Sequence, residues 1–503
     1  MDCFENLYVL DLANNHQGSV EHASQIIRDL SQVVSETAVQ GVLKFQFRQL
    51  ETFIHKNHSD GSGSKHISRF LTTKLDRNDF QMLFDLIRST PLKTMCTPFD
   101  EESVDVITEM GFDFIKVASC SARDWPLLEK VARSGLPTVA STGGLSLDEI
   151  DELVSFFEHR GNPFAVMHCI SIYPTPNELC NLNIIDELRE RYPHIPIGWS
   201  THECPDNTLP GQIAVSKGAK LLERHVGLES EEITLNAYSS SPYQVKTWIE
   251  DCERARLICG RGDVREKTDE ETESLNSLTR GTYASRDIMP GEEIKRGDIY
   301  FAMPFQAGQV PSGDWRNGAM CTKEISLDAP ILNDSVNLGE EKNTRPLKKA
   351  LHTVKAQLRK AKVHLHQDFK VEFSHHRGIE AFSEIGAVII DCINRDYCKK
   401  IIVQTPGQSH PSHYHKKKEE TFQLLWGDLS VNIDGREKSL ALGEIVLVQP
   451  GVWHAFSTEG GCVFEEVSTT HYNDDSFYKD ASINDLKREK RKTVVENWGR
   501  FQI

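Results

Sequence analysis

The sequence predicts an α/β protein whose first half is a closed eight-stranded parallel barrel and whose second half is rich in β-strands. Residues 1–265 contain eight short apolar runs, and amphipathic segments of helical length separate most of them. Alternating strands and helices form parallel sheets, and eight such units close into a barrel of about 250 residues. From residue 278 onward, short strands and glycine-containing turns dominate, which is typical of small β-modules.

The barrel strands are predicted from apolar runs, and the helices from segments such as EESVDVITEM, DWPLLEKVARSG and LSLDEIDELVSFFEHRG. In chain order the predicted strands are LYVLDLA, GVLKFQF, LKTMCTP, FDFIKVAS, LPTVASTG, FAVMHCIS, IPIGWST and AKLLERHV. An open doubly wound sheet is the alternative. No GxGxxG follows a strand, which disfavours the dinucleotide-binding form of that sheet.

The second half divides into two predicted modules. The charged stretch RGDVREKTDEETESLNS is expected to be a linker or an exposed helix. Residues 278–339 are predicted to form a small β-module, and residues 350–503 a β-barrel domain, which ends in a surface helix and tail over INDLKREKRKTVVENWGRFQI.

Composition restricts the class of ligand. A formal net charge of −17 argues against nonspecific binding to nucleic acid or to an anionic membrane. A local group of lysines can still bind a small anion. The N-terminus lacks a basic region followed by an apolar core, and no run reaches the ~18 apolar residues of a membrane span. We therefore expect a cytoplasmic protein whose 12 cysteines are reduced thiols.

Polar side chains recur where the predicted barrel strands end. In (β/α)8 barrels the carboxyl ends of the strands form the active-site face, so these residues are expected to meet. Those at the ends of the runs are Asn15, His16, Lys44, Gln46, Thr97, Lys116, Ser119, Ser141, Thr142, Ser171, Ser200, His202, Glu223 and His225.

The segments NNHQGS, LKFQ, CTPFD, KVAS, DWPLL, ASTGG, HCISIYPTP, GWSTHE and ERHV resemble the sialic acid synthase family, in order and in spacing. Residues 278–339 resemble the antifreeze-like (SAF, β-clip) module of that family. The resemblance implies condensation of phosphoenolpyruvate with an aldose such as an N-acetylhexosamine, giving a nonulosonic acid and phosphate. It also implies a divalent metal, Mn or Mg, and a homodimer in which the antifreeze-like module covers the partner's site.

Phosphoenolpyruvate needs cations and hydroxyl donors for its phosphate and carboxylate. The resemblance assigns that pocket to Lys44, Gln46, Thr97, Lys116, Ser119, Ser141, Ser171 and Ser200, with Asn15, His16, Tyr173 and Asn236 as further substrate contacts. Two histidines from neighbouring strands, His202 and His225, are the expected metal ligands. Asp11 and Glu223 are the candidates for proton transfer.

The acceptor side departs from the family pattern. Where the family has GPDH after the second metal histidine, this chain has ITLNAYSSSP, with Asn236 and Ala237. Met303 stands where the antifreeze-like module offers an Arg, and Asp11 replaces a Glu. Each missing charged hydrogen bond is worth roughly 1.5–3 kcal/mol. We infer a different acceptor sugar, the alternative being drift that other residues compensate.

Residues 407–454 resemble the metal-binding pattern of cupins. His413 and His415 share one face of a predicted strand, because side chains alternate with period two, and Glu420 and His454 complete the set. Three histidines and a carboxylate suit Fe, Mn, Zn or Ni. The alternative is a solvated histidine cluster. His410 fits no ligand position and is expected to lie outside the site.

The function of the predicted cupin stays open at this point. The segment HYHKKKEE also resembles the metal segment of D-lyxose isomerase-type cupins, which would place Lys418 near a sugar. The chain is therefore either a synthase with a binding or stabilising cupin, or a bifunctional synthase and sugar isomerase or epimerase. A third interpretation is a nonenzymatic sugar-binding protein on a decayed synthase barrel.

Overall fold

The computed structural model describes residues 2–262, 265–339, 345–366, 369–496 and Trp498. The chain divides into two compact units, Met1–Glu266 and Lys267–Ile503, and each is described by itself. No helix in the described ranges is both long enough and apolar enough to cross a membrane.

The first unit is a closed barrel of eight parallel strands, as predicted, and the alternative of an open sheet is wrong. Strand β1 pairs in parallel with both β2 and β8, which closes the ring. The strands are β1 (Leu7–Asp11), β2 (Gln40–Phe47), β3 (Lys93–Pro98), β4 (Phe114–Val117), β5 (Thr138–Ser141), β6 (Phe164–Cys169), β7 (Ile197–Thr201) and β8 (Leu221–His225).

The helices of this unit begin and end at residues with recognisable capping chemistry. Capping boxes open α4 at Asp76, α7 at Ser146 and α10 at Ser241, and Gly111 and Gly161 end α5 and α7 in the left-handed conformation. The helices are α1 (Val20–Thr37), α2 (Leu50–Phe53), α3 (Lys65–Thr72), α4 (Arg77–Arg88), α5 (Glu101–Met110), α6 (Trp125–Ser134), α7 (Leu147–Arg160), α8 (Ile184–Arg191), α9 (Leu209–Ser216) and α10 (Pro242–Cys259).

Two apolar layers hold the barrel together and leave its carboxyl end free for polar residues. The larger layer lies between strands and helices and includes Leu10, Leu43 and Ile115. A smaller cluster includes Val9, Val42 and Met95, strand residues whose side chains point the opposite way. The polar side chains at the strand ends therefore lie next to a close-packed apolar interior.

The second unit opens with an exposed helix, α11 (Asp269–Leu278), at the place where a linker or exposed helix is predicted. A small β-module follows around Ile288, Ile294 and Val310. Its strands are β9 (Gly281–Ala284), β10 (Glu293–Ile294), β11 (Ile299–Ala302), β12 (Ala319–Cys321) and β13 (Val336–Asn337). Met303, the residue in place of the family Arg, is about half exposed at the end of β11.

The remainder of this unit is α12 (Arg345–Lys360) and two antiparallel sheets of seven and five strands. The strands are β14 (Lys370–Ser374), β15 (Ala387–Asn394), β16 (Tyr397–Gln404), β17 (Ser409–Tyr414), β18 (Glu420–Gly427), β19 (Leu429–Ile433), β20 (Arg436–Leu440), β21 (Ile445–Val448), β22 (His454–Ser457), β23 (Cys462–Thr469), β24 (Phe477–Tyr478) and β25 (Lys492–Val495). Phe422, Phe456 and Phe464 form part of its core.

The C-terminal segment differs from its prediction. The sequence predicts a surface helix and tail over residues 483–503, but the short helices α13 (Ala481–Asn484) and α14 (Arg488–Arg491) lead into β25. This strand pairs antiparallel with β14, with Val495 opposite Val371. The β-branched run TVV favours a strand, and the charged residues before it hid that signal.

Candidate active site

The carboxyl ends of the barrel strands surround one cavity of about 1060 Å³. The strand register explains why distant residues meet there, since Asp11 lies beside both Lys44 and His225, and Ser200 lies beside Glu223. The predicted residues that line it are Asp11, Asn15, Lys44, Gln46, Thr97, Lys116, Ser119, Ser141, Ser171, Tyr173, Ser200, His202, Glu223, His225 and Asn236.

His16 is the predicted substrate residue that does not line this cavity. It is buried edge-on against Phe80 and borders a neighbouring cavity, and its Nδ1 accepts a hydrogen bond from the Gly18 amide at 3.2 Å. Burial, with a smaller contribution from Arg69, lowers the pKa of His16 to about 4. The structure therefore gives His16 a packing position beside the site.

A buried charge network forms the base of the cavity. The Glu223 carboxylate accepts from Lys44 Nζ at 2.9 Å and from Lys116 Nζ at 2.5 Å, and Lys44 also pairs with Asp11 at 3.0 Å. Burial raises the pKa of Glu223, but the two ammonium groups outweigh burial and hold it well below its usual range. Glu223 is thus held ionised, as a carboxylate that positions two lysines.

Hydroxyl groups without partners face the same space. Within the described residues, Thr97 Oγ1 and Ser141 Oγ are buried and make no hydrogen bond. Buried polar atoms normally have partners, so these two hydroxyls are candidates for binding a polar ligand. Gly143 lies close to this group, because a Cβ on it would come within 2.3 Å of Ser171 Oγ and 2.8 Å of Ser119 Oγ. A larger residue at Gly143 would occupy the space of those hydroxyls.

The two histidines at the ends of β7 and β8 face each other with ring centroids 5.3 Å apart. His202 Nδ1 donates to the Ile170 carbonyl at 3.1 Å, which leaves its Nε2 lone pair free. Burial lowers the pKa of both rings, that of His202 to about 3. Tyr173 and Tyr238 pack against the pair. Neutral imidazoles with free lone pairs fit a divalent metal ion.

The cavity is also lined by residues absent from the sequence-based prediction, among them the cationic Arg48, Lys65 and Arg69 and the aromatic Tyr238. Arg48 is the first residue after the predicted strand GVLKFQF, so extending that strand end by one residue would have found it. Lys65 and Arg69 lie on α3, and Tyr238 lies beyond the last strand; none of these positions carries a strand-end signal.

In the second unit, His413, His415 and His454 form the one three-residue metal-ligating cluster among the described residues. Their candidate ligand atoms all lie within 4.8 Å of one another. Each ring donates its Nδ1–H to a backbone carbonyl: His413 to Pro411, His454 to Val452 and His415 to Asp475. This leaves three Nε2 lone pairs converging, as in protein metal sites.

Glu420 completes the predicted set. Its Oε2 lies 3.1 Å from His454 Nε2 and its Oε1 lies 3.5 Å from His415 Nε2. With Nδ1 of His454 protonated, Nε2 and the carboxylate oxygen are both acceptors, and both atoms are buried without a hydrogen-bond partner within the described residues. A metal ion bonded to both atoms would satisfy these two buried groups. The four side chains therefore fit a metal ion.

A cavity of about 190 Å³ adjoins these ligands and is lined by further charged groups. Lys418 Nζ lies between Glu420, at 2.5 Å, and Glu466, at 2.9 Å, and Lys400 pairs with Glu466 at 3.4 Å. His410 is outside the three-histidine cluster, as predicted, but it lines this cavity and stacks on Phe456, so it is a neighbour of the site.

Comparison with known proteins agrees with this division of the chain. A model described as the NeuB family matches residues 33–264, and a cupin domain model matches residues 401–467. The crystal structure of a spore coat polysaccharide biosynthesis protein E from Chromobacterium violaceum is 39% identical, with a TM-score of 0.63; the match covers 66% of this chain and 100% of that one.

Two curated relatives are synthases. The N-acetylneuraminate-9-phosphate synthase of Drosophila melanogaster is 26% identical over 363 residues, covering 66% of this chain and 96% of that protein. The N,N'-diacetyllegionaminic acid synthase of Legionella pneumophila is 25% identical over 326 residues, and the match covers 62% of this chain and 88% of that protein. The fold and its strand-end cavity define an α/β-barrel transferase of the sialic acid synthase type. The chain belongs to the NeuB family and carries an added cupin domain.

Proposed function

We propose that the barrel condenses phosphoenolpyruvate with an aldose to form a nonulosonic acid and inorganic phosphate. The observation that carries this proposal is the pair of buried lysines, Lys44 and Lys116, beside the unpartnered hydroxyls of Thr97 and Ser141. Buried ammonium groups and free hydroxyl donors match a small ligand with a phosphate and a carboxylate. An intact group of this kind argues against a decayed barrel.

The barrel residues have different roles in the proposed reaction. Lys116, Ser119, Ser141, Ser171 and Ser200 hold phosphoenolpyruvate so that its C3 faces the acceptor's aldehyde carbon, and this positioning lowers the entropic cost of bringing the two together. C3 bonds to that carbon, water adds at C2, and the phosphate leaves by C–O cleavage. Glu223 keeps both lysines in place and, because it is held ionised, does not donate a proton.

The aldehyde end lies between the two histidines and Asp11. His202 and His225 would hold a divalent ion, which supplies Lewis-acid polarisation of the aldehyde oxygen when bound. Asp11 Oδ2 lies 3.5 Å from His225 Nδ1 and 3.2 Å from Gln46 Nε2, at the edge of the same space. Asp11 is therefore the proposed group for proton transfer at the new hydroxyl.

The acceptor is expected to differ from N-acetylmannosamine. Asn236 stands where the resembled family has an acidic residue that binds the acceptor, and it lines the cavity beside Tyr238. A neutral amide forms weaker contacts with sugar hydroxyls than a carboxylate does. The specificity is therefore expected to be altered, while the phosphoenolpyruvate pocket is kept.

The direct test is release of inorganic phosphate from phosphoenolpyruvate in the presence of Mn²⁺ or Mg²⁺ and a panel of aldoses. We expect release that depends on one class of aldose and on the metal, with a product whose mass is the sum of the two substrates plus water minus phosphoric acid. Binding of aldoses with no phosphate release from any of them would instead identify a sugar-binding protein.

A second candidate activity concerns the cupin domain. We propose that it interconverts an aldose and a ketose by moving a proton between neighbouring carbons. Lys418 and Glu466 carry this proposal, since they form a buried acid–base pair in the cavity that the metal ligands border. Amine and carboxylate groups beside a metal ion suit proton transfer at a carbon next to a carbonyl.

The isomerase activity predicts incorporation of solvent deuterium into a free aldose or ketose by the full chain without phosphoenolpyruvate. His413→Ala is expected to abolish the exchange and to lower bound metal, with condensation of a supplied aldose retained. His159→Ala, which changes an exposed histidine of the barrel unit, serves as the control. Metal binding without exchange for any sugar tested would make the cupin a binding or stabilising domain.

A further inference from the structure

One buried carboxylate beside the cupin histidines has no part in either proposed reaction. Asp475 is 4% exposed and lies in the segment that joins β23 to β24. Its carboxylate faces the turn between β17 and β18, which contains the metal ligand His415 and the proposed proton-transfer residue Lys418. Asp475 therefore contacts the one segment that carries groups of both kinds.

The side chain of Asp475 holds three consecutive backbone amides of that turn. Oδ1 accepts from the amide of Lys416 at 3.0 Å, and Oδ2 accepts from those of Lys417 and Lys418 at 3.0 and 3.2 Å. Successive N–H groups that point to one place form an anion-binding concavity, and here a carboxylate of the same chain fills it. Hydrogen bonds to a charged acceptor are roughly twice as strong as neutral ones. A single side chain thus fixes the backbone of the turn.

The main chain of Asp475 orients the histidine at the start of the turn. Its carbonyl oxygen accepts the Nδ1–H of His415, which leaves the Nε2 lone pair for a metal ion. The other two cluster histidines donate to carbonyls only two residues before them, whereas Asp475 lies 60 residues after His415. The orientation of His415 therefore depends on a tertiary contact, and that of the other two depends on local backbone.

Strand pairing explains how Asp475 reaches the turn. β24 begins two residues after Asp475 and pairs antiparallel with β17, with Phe477 opposite Tyr414. This register places the residues before β24 beside those after β17. At the end of the turn, Lys418 Nζ lies 2.9 Å from Glu466, its proposed partner in proton transfer. A shift of the turn would therefore move Lys418 as well as His415.

We propose that Asp475 is a positioning residue of the cupin metal site, whose carboxylate and carbonyl together fix the ring of His415 and the backbone of Lys418. The inference rests on the proposed function of the cupin domain, because it concerns the same metal site and the same lysine. Metal affinity and proton transfer then both depend on a side chain that is not itself a metal ligand.

Asp475→Asn is the test substitution. It turns one carboxylate oxygen into an NH2 group that faces backbone N–H groups, donor against donor, so the turn is no longer fixed. Loss of an outer partner of a metal ligand typically lowers metal affinity 10- to 100-fold. We expect the Kd for Co²⁺ to rise by about tenfold or more, and the Co²⁺ absorption bands, which report coordination geometry, to shift.

Asp428→Asn is the matched control, because Asp428 holds another turn of the same unit by the same chemistry. Its carboxylate accepts from the amides of Glu459 and Gly460 at 2.7 and 2.8 Å, and none of these residues lines the metal cavity. We expect Asp428→Asn to lower the thermal stability of the metal-free protein about as much as Asp475→Asn does. Its Co²⁺ affinity and absorption bands should equal those of the parent.

All variants are made in the full chain with His202→Ala and His225→Ala, so that only the cupin site is titrated. Co²⁺ affinity is measured by competition with a chelator, and solvent deuterium exchange into a sugar is measured with the metal saturating. We expect exchange in Asp475→Asn to stay about tenfold or more below the parent even when the metal site is full, because Lys418 is displaced. Asp475→Glu, which keeps both acceptors on a longer side chain, is the test variant if Asp475→Asn does not fold.

Unchanged Co²⁺ affinity and bands in Asp475→Asn would overturn the inference. Equal changes in Asp428→Asn would also overturn it, because loss of turn stability would then be sufficient. A parent that binds no Co²⁺ would overturn the inference together with the cupin metal site. Weakened and altered Co²⁺ binding in Asp475→Asn, with no deuterium exchange by the parent, would keep Asp475 as a positioning residue of the metal site and overturn the isomerase activity.

Discussion

Replacing His202 with alanine is expected to lower phosphoenolpyruvate-dependent phosphate release by about a thousandfold or more, because the barrel metal ion would lose one of its two imidazole ligands. The free Nε2 of His202, set by the hydrogen bond from Nδ1 to Ile170, is the observation behind this expectation. His225→Ala should give a loss of similar size, since its ring lies opposite at 5.3 Å.

The measurement is single-turnover phosphate release, together with metal content after dialysis and thermal unfolding of each variant. His194→Ala, at an exposed histidine of the same unit, is expected to match the unchanged protein in all three. Unaltered turnover of His202→Ala in chelated buffer would rule out the two-histidine site. A parallel loss of folding would be visible in the unfolding curve.

The barrel could be predicted from the sequence because each strand has a signal within its own few residues. Each strand is a short apolar run ended by polar residues, as in LKFQ and KVAS, and the parallel register then brings those ends to one face. The position of His16 was not predictable, because a residue five places past a strand can turn away into a neighbouring cavity, here against Phe80.

The role of Glu223 also depended on the structure. In sequence it is a carboxylate at a strand end and a candidate for proton transfer. The structure sets it against two ammonium groups whose residues are 179 and 107 positions away, and this pairing fixes its charge. Arg69 was missed for a related reason, since only packing shows which face of α3 borders the cavity.

For the histidines of the cupin domain, sequence spacing indicates the candidate ligands but not the groups that surround them. Alternation at the end of β17 places His413 and His415, the residue after the strand, on one side, and the sequence motif supplies Glu420 and His454. Spacing gives no information about the three backbone carbonyls that fix the Nδ1 protons. Nor does it show that Lys418 is buried between two carboxylates, an arrangement that arises only when β18 and β23 pair.

Lys116 provides the sharpest test of the phosphoenolpyruvate pocket. Lys116→Gln removes a buried ammonium group and leaves Glu223 paired with Lys44, so no carboxylate is left without a cation. A charged hydrogen bond to an anion contributes about 1.5–3 kcal/mol, which corresponds to about 10- to 150-fold in affinity. We expect the Kd for phosphoenolpyruvate to rise by that factor, and the Kd for the acceptor to change by less than about twofold.

Direct titration calorimetry with each substrate separates the two effects. Lys130→Gln is the control, because Lys130 pairs with Asp105 on the surface, where both side chains are well exposed and such pairs contribute little. Replacing Lys44 and replacing Lys116, the two lysines at the bottom of the cavity, should also have different effects. Lys44→Gln would leave Asp11 without its cation, so it is expected to weaken acceptor binding as well as phosphoenolpyruvate binding. Equal losses for both substrates in Lys116→Gln would contradict the assignment and place Lys116 between the two ligands.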